Sequence, residues 1–183
     1  MKVQIRQGVF ETNSSSTHAI CIAKKHYFDK SKLPKKLVVP NYGFGWEPMK
    51  YRDPGAKASY LFQTIDYVYW NSQDEQERCK KKIYDVLRQY GIECEFELGE
   101  ESYIDHGGIE DMPRWINDMV SDPDALMTYL FGDAMIVTGN DNGDEFNEEM
   151  HPFLGYRPYG YRIYDREKYN LEYRNYDIYE KGN

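Results

Sequence analysis

Long apolar runs are missing from this chain. Mean hydropathy is −0.83, and no stretch approaches the roughly 18 to 20 apolar residues that a membrane-spanning helix needs, so no contact with a bilayer core is expected. The opening residues around Gln4, Arg6 and Gln7 lack the apolar centre of a signal peptide, which points to a cytoplasmic protein. Cysteine is scarce. Cys21, Cys79 and Cys94, odd in number and widely spaced, form neither a disulfide framework nor a zinc knuckle, and they read as reduced thiols. With 14 Gly and 8 Pro in 183 residues, collagen-like and low-complexity classes are excluded as well. What is present suits one ordinary globular domain: 40% of residues are hydrophobic and 30% charged.

Positive charge is nearly absent from one stretch. Residues 93–149 carry 17 acids against the single base Arg114, whereas residues 1–60 carry 11 bases and 4 acids. Residues 61–92 are balanced, and the whole chain has a net charge of −8. The acids are interleaved with Ile92, Phe96, Leu98, Trp115, Ile116, Leu126, Leu130 and Phe131, a pattern that folds and does not make a disordered tail. Concentrated like charge costs self-repulsion, which solvent on an open face or a cationic partner relieves.

Hydrophobic periodicity predicts a mixture of strands and helices. Val3, Ile5 and Val9 alternate with polar residues as a half-buried strand does, the polar run Asn13 to Ser16 makes a turn, and Thr17–Ala23 follows as a second strand. Leu37–Val39 adds a short strand, and residues 41–55 read as an irregular connection ordered by Trp46 packing inward. Leu61, Ile65 and Val68 mark an amphipathic helix over 56–70. A second helix carries the stripe Cys79, Ile83, Val86, Leu87 and Tyr90, with Asp74–Arg78 and Glu77–Lys81 as i,i+4 pairs and Gly91 at its C-terminal cap. Ile92–Leu98 alternates strictly and predicts a strand with one apolar and one acidic face. Pro113–Val120 and Asp122–Phe131 read as short helices, the latter capped by Asp122 with Pro123 at its first position, and Ala134–Thr138 as a buried strand. Residues 150–183 hold 8 of the 18 tyrosines and suit short strands or an extension packed on the domain. The expectation is one α+β domain over 1–183, a mixed or antiparallel sheet with several short helices, 150–183 being the tyrosine-rich extension.

Several constellations invite a chemical reading. Ser14, Ser15, Ser16 and His18 bring hydroxyls near a base, but no nucleophile elbow and no orienting third group accompany them, and a structural turn is the better reading. Cys21 beside His18 or His26 reads as a strand-buried thiol. Asp105 and His106, before two glycines, make a polar corner, and His18, Asp105, His106, Asp141 and His151 supply the ligand types for a divalent ion, the first four giving an alternative reading as a metal-dependent enzyme. The segment from Thr138 through Asn140, Asn142 and Gly143 to Glu149 resembles a calcium loop, yet lacks its first aspartate and its entering helix, so a plain turn is preferred and no metal or cofactor is expected.

The alternating strand is more suggestive. Glu93, Glu95 and Glu97 project from one face at intervals of about 6.7 Å, twice the strand rise, close to the spacing of alternate phosphates along one DNA strand. With Glu100 and Glu101 beyond them, these carboxylates form a partner-binding candidate that imitates a polynucleotide; an ordinary wet sheet face is the plainer alternative. On the basic side, Lys24, Lys25, Lys30, Lys32, Lys35 and Lys36 lie with Tyr27 and Phe28, residues able to grip phosphates and stack bases, although no nucleic-acid-binding signature accompanies them. A DNA-binding accessory protein is the second alternative.

The run Arg6-Gln7-Gly8-Val9-Phe10-Glu11-Thr12-Asn13-Ser14-Ser15-Ser16-Thr17-His18-Ala19-Ile20, with Tyr103-Ile104-Asp105-His106 and Ile136-Val137-Thr138-Gly139-Asn140-Asp141-Asn142 following in order, resembles a group of small proteins from bacteriophages and mobile elements of Gram-positive bacteria. Some proteins of this size and type look like anti-CRISPR inhibitors of type II-A Cas9. The resemblance implies a non-catalytic protein of the bacterial host cell that binds Cas9, with its guide RNA, and blocks DNA engagement or cleavage; it assigns no catalytic residue. The acidic strand agrees with that implication, since carboxylates compete for a channel built to hold nucleic acid. The tyrosines of the last block suit either a homodimer contact or a cover for the core.

Overall fold

The computed structural model describes residues 16–45, 47–97, 103–104, 111–140 and 175–181. Its largest sheet has four antiparallel strands in the order β4 (Met49–Tyr51), β7 (Ala134–Asn140), β1 (Ser16–Ala23), β8 (Tyr176–Lys181). The period of two in β1 decides what each side buries. Ile20 and Ile22 join the main core, while Ala19 and Cys21 join Met135 and Val137 in a small cluster on the opposite face. Four helices, α1 (Pro54–Val68), α2 (Gln73–Gln89), α3 (Met112–Ser121) and α4 (Pro123–Phe131), build the rest of the main core, with Tyr60, Leu61, Ile65, Trp115 and Tyr129 fully buried. β8 is fastened to α3 by two contacts of one ring: Tyr179 donates to Asp118 Oδ2 at 2.9 Å, and the Arg114 guanidinium lies 4.5 Å from its centroid.

Two small parallel ribbons complete an α+β fold. β2 (Lys36–Val39) pairs with β5 (Glu93–Phe96), and β3 (Gly43–Phe44) with β6 (Tyr103–Ile104). The chain reaches β5 from β2 by crossing over through α1 and α2, as parallel pairing requires. Gly91 takes φ +72, the left-handed conformation that ends α2, and Ile92 N then donates back to the Leu87 carbonyl at 3.0 Å.

Several expectations need correction. The connection over 41–55 contains strands β3 and β4, too short to show a period of their own and held by their partners β6 and β7. α1 begins at Pro54 with Asp53 as its cap, the Asp53 carboxylate accepting from Ala56 N at 2.8 Å. From Ala56 to Leu61 no residue of α1 is exposed, so its first half is a central helix and not an amphipathic one. On α2 the charges choose other partners: Arg78 pairs with Glu75 at 2.5 Å and Lys81 with Asp85 at 2.9 Å. β7 runs on to Asn140, and Thr138 donates to the Glu47 carbonyl at 2.7 Å, so the first three positions of the calcium-loop register are strand. The strand expected over 3–9, Ser14, Ser15, Trp46, Leu98, Glu100, Glu101, Asp105, His106, Asp141, His151 and the tyrosines between 156 and 173 lie outside the described residues.

Candidate functional site

The acidic alternation of β5 is realised as a surface. Ile92, buried behind the C-terminal cap of α2, fixes the register, so Cys94 and Phe96 turn toward the helices while Glu93 and Glu95 are exposed on the other side; Glu97, exposed just past the end of β5, borders the cleft beside Phe96. Phe96 packs its edge against Phe62 of α1 at 5.1 Å between centroids, the contact that anchors this face. Glu93 and Glu97 make no ion pair with any described residue.

The parallel register adds what the sequence did not display. Lys36 of β2 stands opposite Glu93 and pairs with the carboxylate of Glu95, and Val38, 40% exposed, stands opposite Glu95. The end of the lysine-rich segment and the acidic strand are therefore two halves of one ribbon, whose exposed face carries the carboxylates of Glu93 and Glu95 and one ammonium, with the exposed Glu97 just past its end. With both partners about half exposed, such a pair contributes at most about 1 kcal/mol to stability, but it cancels one charge on the face.

The other lysines disperse. Lys32 pairs with Asp29 at 3.3 Å, and Lys30 lies over the rings of Phe28 and Tyr90 at 5.9 and 5.5 Å. Lys24, Lys25 and Lys35 are exposed. Asp29 is occupied in addition by Ser31, whose backbone N–H and hydroxyl both donate to it; these bonds hold its carboxyl below the usual range, the Ser31 hydroxyl being the largest cause. Tyr27 is 67% exposed. Lys30, Lys32 and Lys36 thus satisfy acids or rings of their own chain.

His18 lies in a buried polar cluster that sequence reasoning did not assemble. It shares the core-facing side of β1 with Ser16 and Ile20, and the register sets it opposite Thr138 of β7 and Lys181 of β8. The Gly45 carbonyl, 3.0 Å from Nε2, can only accept, so Nε2 carries the proton and Nδ1 accepts from the Tyr60 hydroxyl at 2.9 Å. Burial, with the Lys181 charge next, lowers the His18 pKa to about 3 against a smaller opposing effect of the Gly45 bond. Burial likewise raises the pKa of Tyr60. Lys181, 1% exposed, donates to Ser16 Oγ at 3.2 Å.

The Ser16 hydroxyl is engaged by Lys181, both nitrogens of His18 are used, and Cys21 faces the other side of the sheet, so neither a Ser–His nor a Cys–His pair forms. Among the described residues no three His, Cys, Asp or Glu side chains gather as metal ligands do. Cys21 and Cys79 are buried cysteines outside any disulfide, and Cys94 is half-buried, its pKa pushed up to about 11 by burial. No helix of the described residues is long and apolar enough to cross a membrane.

The described ends of the three sequence blocks meet around this cluster. His18 belongs to the first and Thr138 to the third, and they are neighbours across β1 and β7. Tyr103 and Ile104 of the second pair with Gly43 and Phe44, next to the Gly45 carbonyl that His18 holds. Compared with known proteins, the chain matches no family model, no curated protein and no solved structure.

Proposed function

We propose that this chain is a non-enzymatic binding protein whose β2–β5 ribbon enters the cationic channel of a nucleic-acid-handling effector, type II-A Cas9 with its guide RNA, and blocks DNA engagement or cleavage there. The observation that carries the reading is the run of exposed carboxylates Glu93, Glu95 and Glu97 along and just past β5, two of them unpaired among the described residues, on a strand whose helix-facing side is packed by Phe62. A side chain on a paired strand is pre-organised, so carboxylates held this way compete with phosphates at a lower entropic cost than those of a flexible tail. The likeness of the three sequence blocks to phage and mobile-element proteins directs the reading toward Cas9. Engagement of both His18 nitrogens in the core favours a binding role over hydrolysis at that residue.

The experiment is a DNA-cleavage assay in which guide-loaded type II-A Cas9 is titrated with the chain, alongside gel filtration of the mixture. A cleavage rate that falls as the chain is added, with co-elution, is the expected result. An unchanged rate with separate elution contradicts the proposal.

A further inference from the structure

A cleft of about 280 Å³ opens where β5 meets α1 and α2, walled by Phe62, Gln63, Asp66, Lys80, Phe96 and Glu97, among others. Its volume matches roughly nine waters, room for one long side chain and not for a folded element. Its chemistry is uneven. The aromatic wall is rigid: Phe62 and Tyr84 stack at 5.5 Å and 26°, and Phe96 stands edge-on to both at 5.1 and 6.4 Å. Phe96 nonetheless leaves 44% of its surface to solvent. At the rim Lys80 already answers Asp66 at 2.5 Å, while Glu97 has no described cationic partner. In the wall, Gln63 Nε2 donates to the Tyr42 carbonyl at 2.8 Å and to Ser59 Oγ at 2.9 Å, which fixes the orientation of the amide and leaves Oε1 buried with no donor.

We infer that this cleft is a socket for an arginine side chain of the partner protein, with the guanidinium stacked on Phe96 and forked onto Glu97. The inference rests on the reading of β5 as the partner-facing strand and names the residue that strand would receive. A planar, weakly hydrated cation gains from an exposed ring, and its paired N–H groups match a carboxylate; a lysine ammonium gains less from both. A nucleobase would stack on Phe96 too, but its phosphate would meet the like charge of Glu97.

The test is an NMR titration of the isotope-labelled chain with blocked hexa-arginine, blocked hexa-lysine and a single-stranded hexanucleotide. Expected are shifts at Phe62, Gln63, Tyr84, Phe96 and Glu97 on adding the arginine peptide, binding about fivefold tighter than the lysine peptide, and no binding of the oligonucleotide. Phe96→Leu should remove the preference for arginine over lysine, with its melting curve and the unshifted resonances elsewhere showing that the chain still folds. Equal affinity for the two peptides, a preference that survives in Phe96→Leu, or oligonucleotide binding in the cleft would overturn the socket and leave the acidic ribbon standing. If neither peptide binds, the ribbon's role as a cation-facing surface falls with it.

Discussion

Tyr60 donates its phenolic proton to Nδ1 of His18 across 2.9 Å, deep between α1 and β1. The opposite ring nitrogen is held by Gly45, so the imidazole is fixed in one tautomer and kept neutral. The unfolded chain takes up a proton at His18 near pH 6.5, whereas the native state resists until about 3. Within that window the unfolded state binds more protons, so stability rises with pH. The His18 contribution is full above pH 6.5 and is lost as pH falls toward 3, at up to about 1.4 kcal/mol per pH unit. Urea unfolding at pH 7, 6, 5 and 4 checks this: His18→Gln should be less stable at pH 7 by about 1 to 3 kcal/mol, with a shallower acid slope. A slope unchanged by the substitution would mean that His18 is not the titrating group.

Lys57 presents the same physics with the opposite charge balance. Its side chain is 1% exposed, its ammonium reaches the Ala134 carbonyl at 3.4 Å, and it sits 6.0 Å from the centroid of the Tyr129 ring. Burial lowers its pKa to about 8, against the opposing charge of Asp53. Between pH 8 and 10.5 the unfolded chain holds a proton that the native state has released, so the Lys57 contribution to stability grows as pH rises through that range. Lys57→Met keeps the stem and removes the buried charge. It should stabilise the protein at pH 7 by about 1 to 3 kcal/mol and flatten the slope between pH 8 and 9.5, read by thermal unfolding at fixed ionic strength.

Lys36 is the one base on the exposed face of the β2–β5 ribbon among the described residues, and it is paired with Glu95. Lys36→Glu should change stability by less than about 1 kcal/mol, because the pair is solvent-screened. The same change should strengthen binding to a cationic partner by removing the charge that opposes it, and should make that binding more sensitive to salt. Affinity measured at 50 and 300 mM salt, parent against variant, reads both effects. Affinity that drops at both salt concentrations would show that Lys36 itself touches the partner.

Much of this fold was legible because its elements announce themselves locally. α2 carries a clean stripe and ends on Gly91, and α4 opens on Asp122 and Pro123, whose side-chain cap accepts from Asp124 N and Ala125 N. The same Asp–Pro device at Asp53 and Pro54 opens α1 and was readable, but the first turns of that helix are buried on every side and hide the apolar stripe that would have drawn the boundary there. β3, β4 and β6 span two or three residues each and exist only through pairing, which no local pattern encodes. The site divides along the same line. The alternation of Glu93, Glu95 and Glu97 is local and was visible; the pairing of Lys36 with Glu95, and the meeting of His18 with Tyr60, Gly45 and Lys181, depend on strand register across most of the chain.

The central claim is that carboxylates on β5 stand in for a polynucleotide in a cationic channel. Isothermal titration of guide-loaded type II-A Cas9 with the parent chain and with a triple variant, Glu93→Lys, Glu95→Lys and Glu97→Lys, tests it most directly. All three positions are exposed, so the variant should fold, as its melting curve will record. The account predicts salt-dependent binding by the parent and its loss, by a factor of a hundred or more, in the variant, in line with roughly 1 kcal/mol or more for each reversed charge. Equal affinity of parent and variant would contradict it.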